Sequence, residues 1–238
     1  MTYYRDINKE DTLLNIYLDL STYCNAGCPQ CNRTNWFAGG LKKNVWIPDE
    51  MWDLARVKRA YPAGLNVKKV TICGTWGDPF MVKEIDEIIY HFLECGYKTY
   101  LNTNGGMRDA WWWYILGKKM SSYDTDSNVI FDIDGIDNEM HARYRRKTVL
   151  DKVLENMEAF SLGGGKARAH TIVFEHNENY LKEIRDLALS RGAREIDFQK
   201  SNRKFGHDGG MEFRFKDENG QQATLRKSTN EIAKALSG

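Results

Sequence analysis

Two hydrophobic rhythms alternate along this chain, one of period two or unbroken apolar runs, the other of helical spacing. Leu13–Leu20 is an apolar, β-rich run and predicts the first strand. A long polar connection, Asn32 to Val45, is broken at Gly39–Gly40. Pro48–Asp49–Glu50 then reads as the first turn of a helix running to about Ala60, with proline early and acids at the positive end. Lys69–Cys73 is the second strand. Val82, Ile85, Ile88, Ile89 and Phe92 make an apolar helical stripe over Val82–Glu94, closed by Gly96 before a third strand, Tyr97–Leu101. A helix follows Arg108, and Asn128–Ile133 is the fourth strand. Thr148 and Asp151 have the spacing of a capping box, and Val149 to Phe160 carries the apolar face behind it. Gly163–Gly164–Gly165 precedes a fifth strand, Arg168–Phe174, then a helix over Asn179–Ser190 and a sixth strand, Arg194–Gln199.

Six strand-then-helix alternations predict a parallel α/β sheet, and crossover handedness curls such units into an open sheet or a barrel. Periodicity does not choose between them. After Ser201 the rhythm changes: Met211–Lys216 and Gln221–Leu225 flank Asp217–Glu218–Asn219–Gly220 as a β-hairpin, and Ser228–Leu236 reads as a terminal helix. Residues 1–200 are therefore expected to form one core and residues 201–238 a cap on it, not a second domain. Trp111–Trp112–Trp113 cannot all share one helical face, so one indole is expected outward.

Polar and glycine residues collect where the strands end, the place at which parallel α/β folds bind ligands. They are Gly74–Thr75–Trp76–Gly77–Asp78–Pro79, Asn102–Thr103–Asn104–Gly105–Gly106, Asp132–Ile133–Asp134–Gly135, Phe174–Glu175–His176–Asn177 and Gln199–Lys200. Taken singly, each is ordinary turn chemistry; together they outline the mouth of one site.

Composition adds mostly exclusions. The 238 residues suffice for one sizeable core, and 34 Lys and Arg against 33 Asp and Glu leave a net charge of +1, so no global signal points to nucleic acid. No apolar run approaches the length of a membrane span, and Met1 to Asp11 does not read as a secretory signal. The one dense basic run, His141 to Lys147, reads as a solvated face; turned inward, it would clamp a carboxylate or phosphate. Five cysteines, three of them clustered, suit a reducing interior, and a cytoplasmic location is expected.

Those three, Cys24, Cys28 and Cys31, stand at C-x3-C-x2-C spacing directly after the first strand. Close-set thiolates suit an iron–sulfur cluster or zinc. A structural zinc would want a fourth protein ligand, and the nearest later candidates are Cys73 and His91. A non-catalytic zinc or iron–sulfur protein on an α/β scaffold is the rival to an enzyme. Cys73 itself reads as a small buried apolar residue, the alternative being a thiol that returns a hydrogen atom to a substrate radical.

The cysteine motif, its position and the later strand-end segments resemble the radical S-adenosylmethionine (radical SAM) superfamily over roughly residues 13 to 200. The resemblance implies a partial (β/α)6 TIM-like barrel with a short C-terminal cap. It implies a [4Fe-4S] cluster held by Cys24, Cys28 and Cys31, with SAM on the open iron. It implies reductive cleavage of SAM to a 5′-deoxyadenosyl radical that takes a hydrogen atom from a small-molecule, nucleotide or peptide substrate. An electron donor such as flavodoxin or ferredoxin is the implied partner. Trp76–Gly77–Asp78–Pro79 is similar to the family's Gly-Gly-Glu-Pro segment, with Trp76 for the first glycine and Asp78 for the glutamate. Asp132–Ile133–Asp134–Gly135 with His141 and Arg145 resembles the Ser-Ile-Asp-Gly and His-x-x-x-Arg pattern of the peptide-modifying branch, with Asp132 for the serine.

Gly74, Thr75, Trp76, Gly77, Asp78, Pro79, Asn102, Asn104, Asp132 and Asp134 are thereby candidates around SAM, and His141, Arg143 and Arg145 are candidates for substrate. Gln30 replaces the family's usual aromatic residue before the third cysteine, so adenine is expected to find apolar walls elsewhere, at Phe174, Ile196 or Phe198. No cysteine follows Cys95, and the auxiliary clusters of the peptide-modifying branch are not expected in this sequence; nor are the few residues before strand one expected to form a peptide-binding domain. A small molecule or nucleotide is therefore as compatible as a peptide.

Overall fold

The computed structural model describes residues 14–203, 205 and 210–229. The N-terminal residues and most of the expected terminal helix lie outside that range. Six parallel strands form one sheet: β1 (Leu14–Leu18), β2 (Val67–Ile72), β3 (Lys98–Thr103), β4 (Asn128–Asp132), β5 (Ala167–Val173) and β6 (Ile196–Lys200). Their spatial order is their sequence order. That order decides what periodicity left open. A doubly wound sheet reverses direction once and carries helices on both faces; monotonic right-handed crossovers put every helix on one face and curl the sheet into a half-barrel.

Helices α1 (Leu54–Ala60), α2 (Ile85–Glu94), α3 (Ala110–Ser121), α5 (Leu150–Leu162) and α6 (Leu181–Ser190) form the outer layer, and a short α4 (Asn138–Ala142) follows β4. The core lies between sheet and helices. Val70, Ile72, Leu101, Val129, Phe131, Val173 and Ile196 point outward into it and are almost wholly buried. Each such side chain contributes about 1.5–3 kcal/mol, well above any helix-propensity difference, so packing holds the helices on the sheet. The alternate residues face the concave side, where Asn102, Ile130, Arg168, His170 and Ile172 are half-buried and Tyr17, Asp197 and Gln199 are exposed. The three tryptophans divide as helical geometry requires. Trp113 is buried, its ring 4.9 Å from Phe131 and its Nε1–H donated to the Met107 carbonyl; Trp111 faces outward.

Four local expectations are corrected. Residues 48–52 are not helical: they run antiparallel beside the segment just past β1, with Thr22 N–H donating to Glu50 O and Trp52 N–H to Leu20 O, and α1 starts only after Asp53, whose carboxylate accepts the Arg56 N–H. The stripe beginning at Val82 becomes helical at Ile85, after a single 3-10 turn over Pro79–Met81 capped by Asp78. Thr148 does not cap α5; Val149 holds that position without a side-chain bond, and the Thr148 hydroxyl donates to the Arg145 carbonyl. The turn after β4 contains α4, which the sequence reading did not separate from the basic run, although Asp137 is its N-cap and accepts the Met140 N–H.

β7 (Glu212–Lys216) and β8 (Gln222–Arg226) form the expected antiparallel hairpin. Its buried face, Phe213, Phe215 and Leu225, shares a second apolar cluster with Ala26, Cys28, Tyr144 and Phe174.

Candidate functional site

The loop after β1 is fixed by its backbone. Gly27 N–H donates to Arg146 O, and Cys31 N–H to Cys28 O. This winds Cys24, Cys28 and Cys31 around one end of a cavity of about 560 Å³ at the mouth of the half-barrel. The same cavity is lined by Gly74, Thr75, Gly77, Asp78, Asn102, Asn104, Asp132 and Arg145. Its less polar wall comes from Ile130, Tyr144 and Ile172.

Burial pushes the Cys28 thiol up to about 12, against the downward pull of the Arg145 guanidinium, and raises Cys24 still further. Thiolates this buried need a cationic centre to stay ionised. The surroundings suit sulfur that carries charge: Ala26 N–H and Asn104 Nδ2 donate to Cys24 Sγ at 3.4 and 3.7 Å, and Arg145 Nη1 lies 3.9 Å from Cys28 Sγ. Among the described residues, no three His, Cys, Asp or Glu side chains converge tightly enough for one metal ion. Three thiols spaced around a cavity fit a polynuclear cluster better than a single zinc.

Asp78 is buried and its carboxylate accepts four hydrogen bonds, from Phe80 N–H, Asn104 N–H, Asn104 Nδ2 and the Thr103 hydroxyl. Burial raises its pKa to about 6 in spite of these donors. Asp78 therefore ties the β2 loop to the end of β3. Asn104 and Gly105, which has φ +71°, form a true turn, and the Asn104 amide also exchanges hydrogen bonds with Asn25 of the cysteine loop. Backbone packing by itself requires Gly77 to be small. A Cβ there would lie 2.2 Å from Ser21 O and 2.5 Å from Tyr23 O, because the β1 and β2 loops pack backbone to backbone. Gly77→Ala is expected to destabilise the protein by roughly 1–3 kcal/mol and to lower iron incorporation, measured by thermal melting and iron assay.

Arg145 sits between two carboxylates. Its Nη1 lies 2.9 Å from Asp132 Oδ2 and its Nε 2.5 Å from Asp134 Oδ2, and Asp134 Oδ1 accepts the Ile172 N–H. Burial alone would push the Asp132 carboxyl up; Arg145 and the His170 ring together hold it below the usual carboxylate range. His170, on β5 opposite Asp132, places Nδ1 3.1 Å from Asp132 Oδ1 and Nε2 3.3 Å from Gln199 Oε1. Burial would lower its pKa, but the Asp132 bond and charge raise it.

Seven sequence candidates do not face this cavity. His141 is fully buried: its Nδ1 accepts the Asp134 N–H and its Nε2 donates to Thr148 Oγ1. Arg143 is exposed and pairs with Glu139. Phe174 packs against Tyr144 and Phe205 in the second apolar cluster. Pro79 is buried in the 3-10 turn, and the Trp76 indole turns away toward Trp46. Ile196 and Phe198 belong to the core behind the sheet. The basic run is split, with Arg145 inward and Arg143 and Lys147 outward, so neither a uniformly solvated face nor a uniformly inward one describes it. Cys73 is half-buried and lines the cavity instead of packing behind the sheet.

The inward residues Arg168, His170, Asp197 and Arg203 were not singled out, whereas Gln199, expected at a strand end, does line the cavity. Alternation along Arg168, His170 and Ile172 was the available signal, since one face of a strand repeats every second residue.

The buried, neutral His141 makes a pH prediction. Its pKa is lowered by burial to about 4, against 6.5 for an ordinary histidine. Below pH 6.5 the unfolded chain takes up a proton that the folded state refuses, so stability falls on acidification until about pH 4. Between pH 7 and pH 4.5 the parent protein is expected to lose about 2–3 kcal/mol more than His141→Gln, read from urea midpoints. Equal losses would remove His141 as the cause.

Residues 18–188 match the family model described as the Radical SAM superfamily. The GTP 3′,8-cyclase of Nautilia profundicola is 23% identical over 197 residues, covering 80% of this chain and 58% of the cyclase. SuiB of Streptococcus suis, solved with S-adenosylmethionine, superposes with a TM-score of 0.59 at 15% identity, over 82% of this chain and 42% of SuiB. The enzyme anSMEcpe with bound AdoMet gives a TM-score of 0.61 at 18% identity, over 82% of this chain and 51% of that one. The two structures establish the fold. This chain spans less than two thirds of the length of each of these relatives.

Proposed function

The chain belongs to the radical SAM superfamily, and on that premise we propose a single-cluster enzyme in which Cys24, Cys28 and Cys31 hold the cluster and the neighbouring strand ends hold SAM. A [4Fe-4S] cluster with SAM supplies, on reduction, a 5′-deoxyadenosyl radical able to take a hydrogen atom from a substrate C–H bond. The observation carrying this reading is that three thiols, Asn102, Asn104 and Asp132 meet on one cavity.

This chain's residues bind, orient and neutralise. Asn104 donates to Cys24 Sγ and is itself held by Asp78, so the cysteine loop and the β3 end move as one unit. Arg145 offsets the charges of Asp132 and Asp134 and brings positive charge to Cys28. Ile130, Ile172 and Tyr144 offer the apolar surface an adenosyl group needs, in place of Phe174.

The substrate is a small molecule, nucleotide or peptide whose reacting carbon reaches the concave face. Among the relatives, SuiB was solved with the precursor peptide SuiA and anSMEcpe with a peptide, while the cyclase is named for GTP. The concave face supports a polar substrate: Lys69 lies over both Tyr17 and Tyr100, with Arg168 and His170 beyond. An electron donor such as flavodoxin or ferredoxin would reduce the cluster in the cytoplasm; the five cysteines are all free thiols, and no helix among the described residues is long and apolar enough to cross a membrane. Residues 201–238 act as a cap on the core of residues 1–200, a reading supported by the hairpin's place in the cluster that contains Cys28.

Anaerobic reconstitution with iron and sulfide, then dithionite and SAM, tests the reading. About four irons per chain and release of 5′-deoxyadenosine are expected. A protein that holds zinc and leaves SAM intact would overturn it.

A further inference from the structure

Beside the mouth of the half-barrel lies a second cavity, of about 270 Å³, whose walls include Trp46, Trp52 and Trp76. Trp46 and Trp76 stand perpendicular, at an interplanar angle of 84° with centroids 5.5 Å apart. Leu20 and Ile47 are buried beneath them, whereas Trp46 is 63% exposed. Trp76 occupies the position at which the similar family segment has glycine, so its indole is not needed by the loop's backbone.

The charges around this corner have one sign in excess. Asp19 and Glu50 both line it. Glu50 pairs with Arg56 at 2.6 Å. The Asp19 carboxylate accepts one hydrogen bond, from Thr75 N–H at 2.9 Å, and has no cationic partner among the described residues. The nearby Lys43 is taken up by Asp49 and the Ile47 carbonyl. One cation is already seated on an indole here: the Arg56 guanidinium lies 4.0 Å from the centroid of the Trp52 ring.

We propose that Trp46, Trp52 and Trp76, with Asp19, form a binding site for an organic cation, an alkylammonium or guanidinium group. Indole faces attract such groups through their quadrupole, and a carboxylate at the rim supplies the counter-charge. A neutral aromatic or aliphatic occupant would desolvate Asp19 without replacing its water, which costs free energy. Thr75 and Gly77, the neighbours of Trp76, line the reaction cavity. An occupant of this corner is thus one residue away from that cavity, and the site suits the cationic end of a molecule whose other end enters the half-barrel. The binding step itself does not depend on SAM cleavage.

Isothermal titration of the reconstituted protein with choline, in parallel with its neutral isostere 3,3-dimethylbutan-1-ol at constant ionic strength, tests the proposal. Choline is expected to bind at least about tenfold more tightly than the alcohol. Asp19→Asn and Trp76→Gly should each weaken choline binding about tenfold. Trp46→Ala, at an indole outside the buried core, should do the same and guards against a variant that fails to fold. Equal affinity for choline and the alcohol would mean an apolar pocket and would overturn the assignment. So would the absence of choline binding, or a Trp46→Ala protein that binds choline like the parent.

Discussion

Cys28→Ala protein, reconstituted anaerobically with iron and sulfide, is expected to hold less than about a tenth of the parent's iron and to lose SAM cleavage by at least a hundredfold. Cys28 is the most enclosed of the three motif thiols, at 7% exposure, and sits in the apolar cluster that the hairpin closes. With two cysteines left, no other thiol can replace it at the same place: Cys73 lies across the cavity on β2's end, and Cys95 caps α2 on the outer layer. Cys95→Ala is the matched control. Its sulfur contacts the His91 ring at 4.0 Å and nothing in the cavity, so the variant should keep its iron and its 5′-deoxyadenosine yield while losing about 1 kcal/mol of stability. If Cys28→Ala retains iron and SAM cleavage like Cys95→Ala, the cluster assignment fails.

The second large effect belongs to Arg145. Removing its guanidinium leaves the wholly buried Asp134 without a cation, beside an Asp132 that keeps only the His170 ring. Arg145→Ala is expected to destabilise the protein by about 3–5 kcal/mol, and to lower its melting temperature by roughly 10 °C. Arg145→Lys keeps the charge but cannot span both carboxylates with one ammonium, so its loss should be intermediate. Turnover and uncoupled SAM cleavage should fall together, because the same side chain holds Asp132 at the cavity wall and stands beside Cys28. A residue whose sole task was to hold an anionic substrate would behave differently: Arg145→Ala would melt like the parent and still release 5′-deoxyadenosine without product. That result would return Arg145 to the substrate role predicted from the basic run.

The difference between those two roles marks what sequence could reveal and what it could not. The rhythm of apolar residues determined the six strands, the main outer helices and the hairpin, because burial on one face imposes its period directly on the chain. The close spacing of Cys24, Cys28 and Cys31 made a candidate thiolate site legible, since all three cysteines lie within one loop. The polar residues at the strand ends were legible for the same local reason. The start of α1 was not. Pro48–Asp49–Glu50 has the composition of a first turn, but pairing with Thr22, a contact between residues 26 to 28 apart, holds it extended.

Side-chain direction within the site also came only from tertiary structure. Arg143 and Arg145 are alike in sequence; α4 and the turn after it send one to solvent and the other between Asp132 and Asp134. His141 looked like a site residue and is a neutral core residue. His170 looked like part of a strand and faces the cavity, because β4–β5 register sets it against Asp132. Phe174 follows β5 closely enough to suggest an adenine wall, yet Tyr144 and Phe205 enclose it. Even the choice between an open sheet and a half-barrel rested on strand order, which no local pattern encodes. Periodicity reports which face of an element is buried; which element covers that face depends on register, crossover and packing between residues tens to hundreds of positions apart.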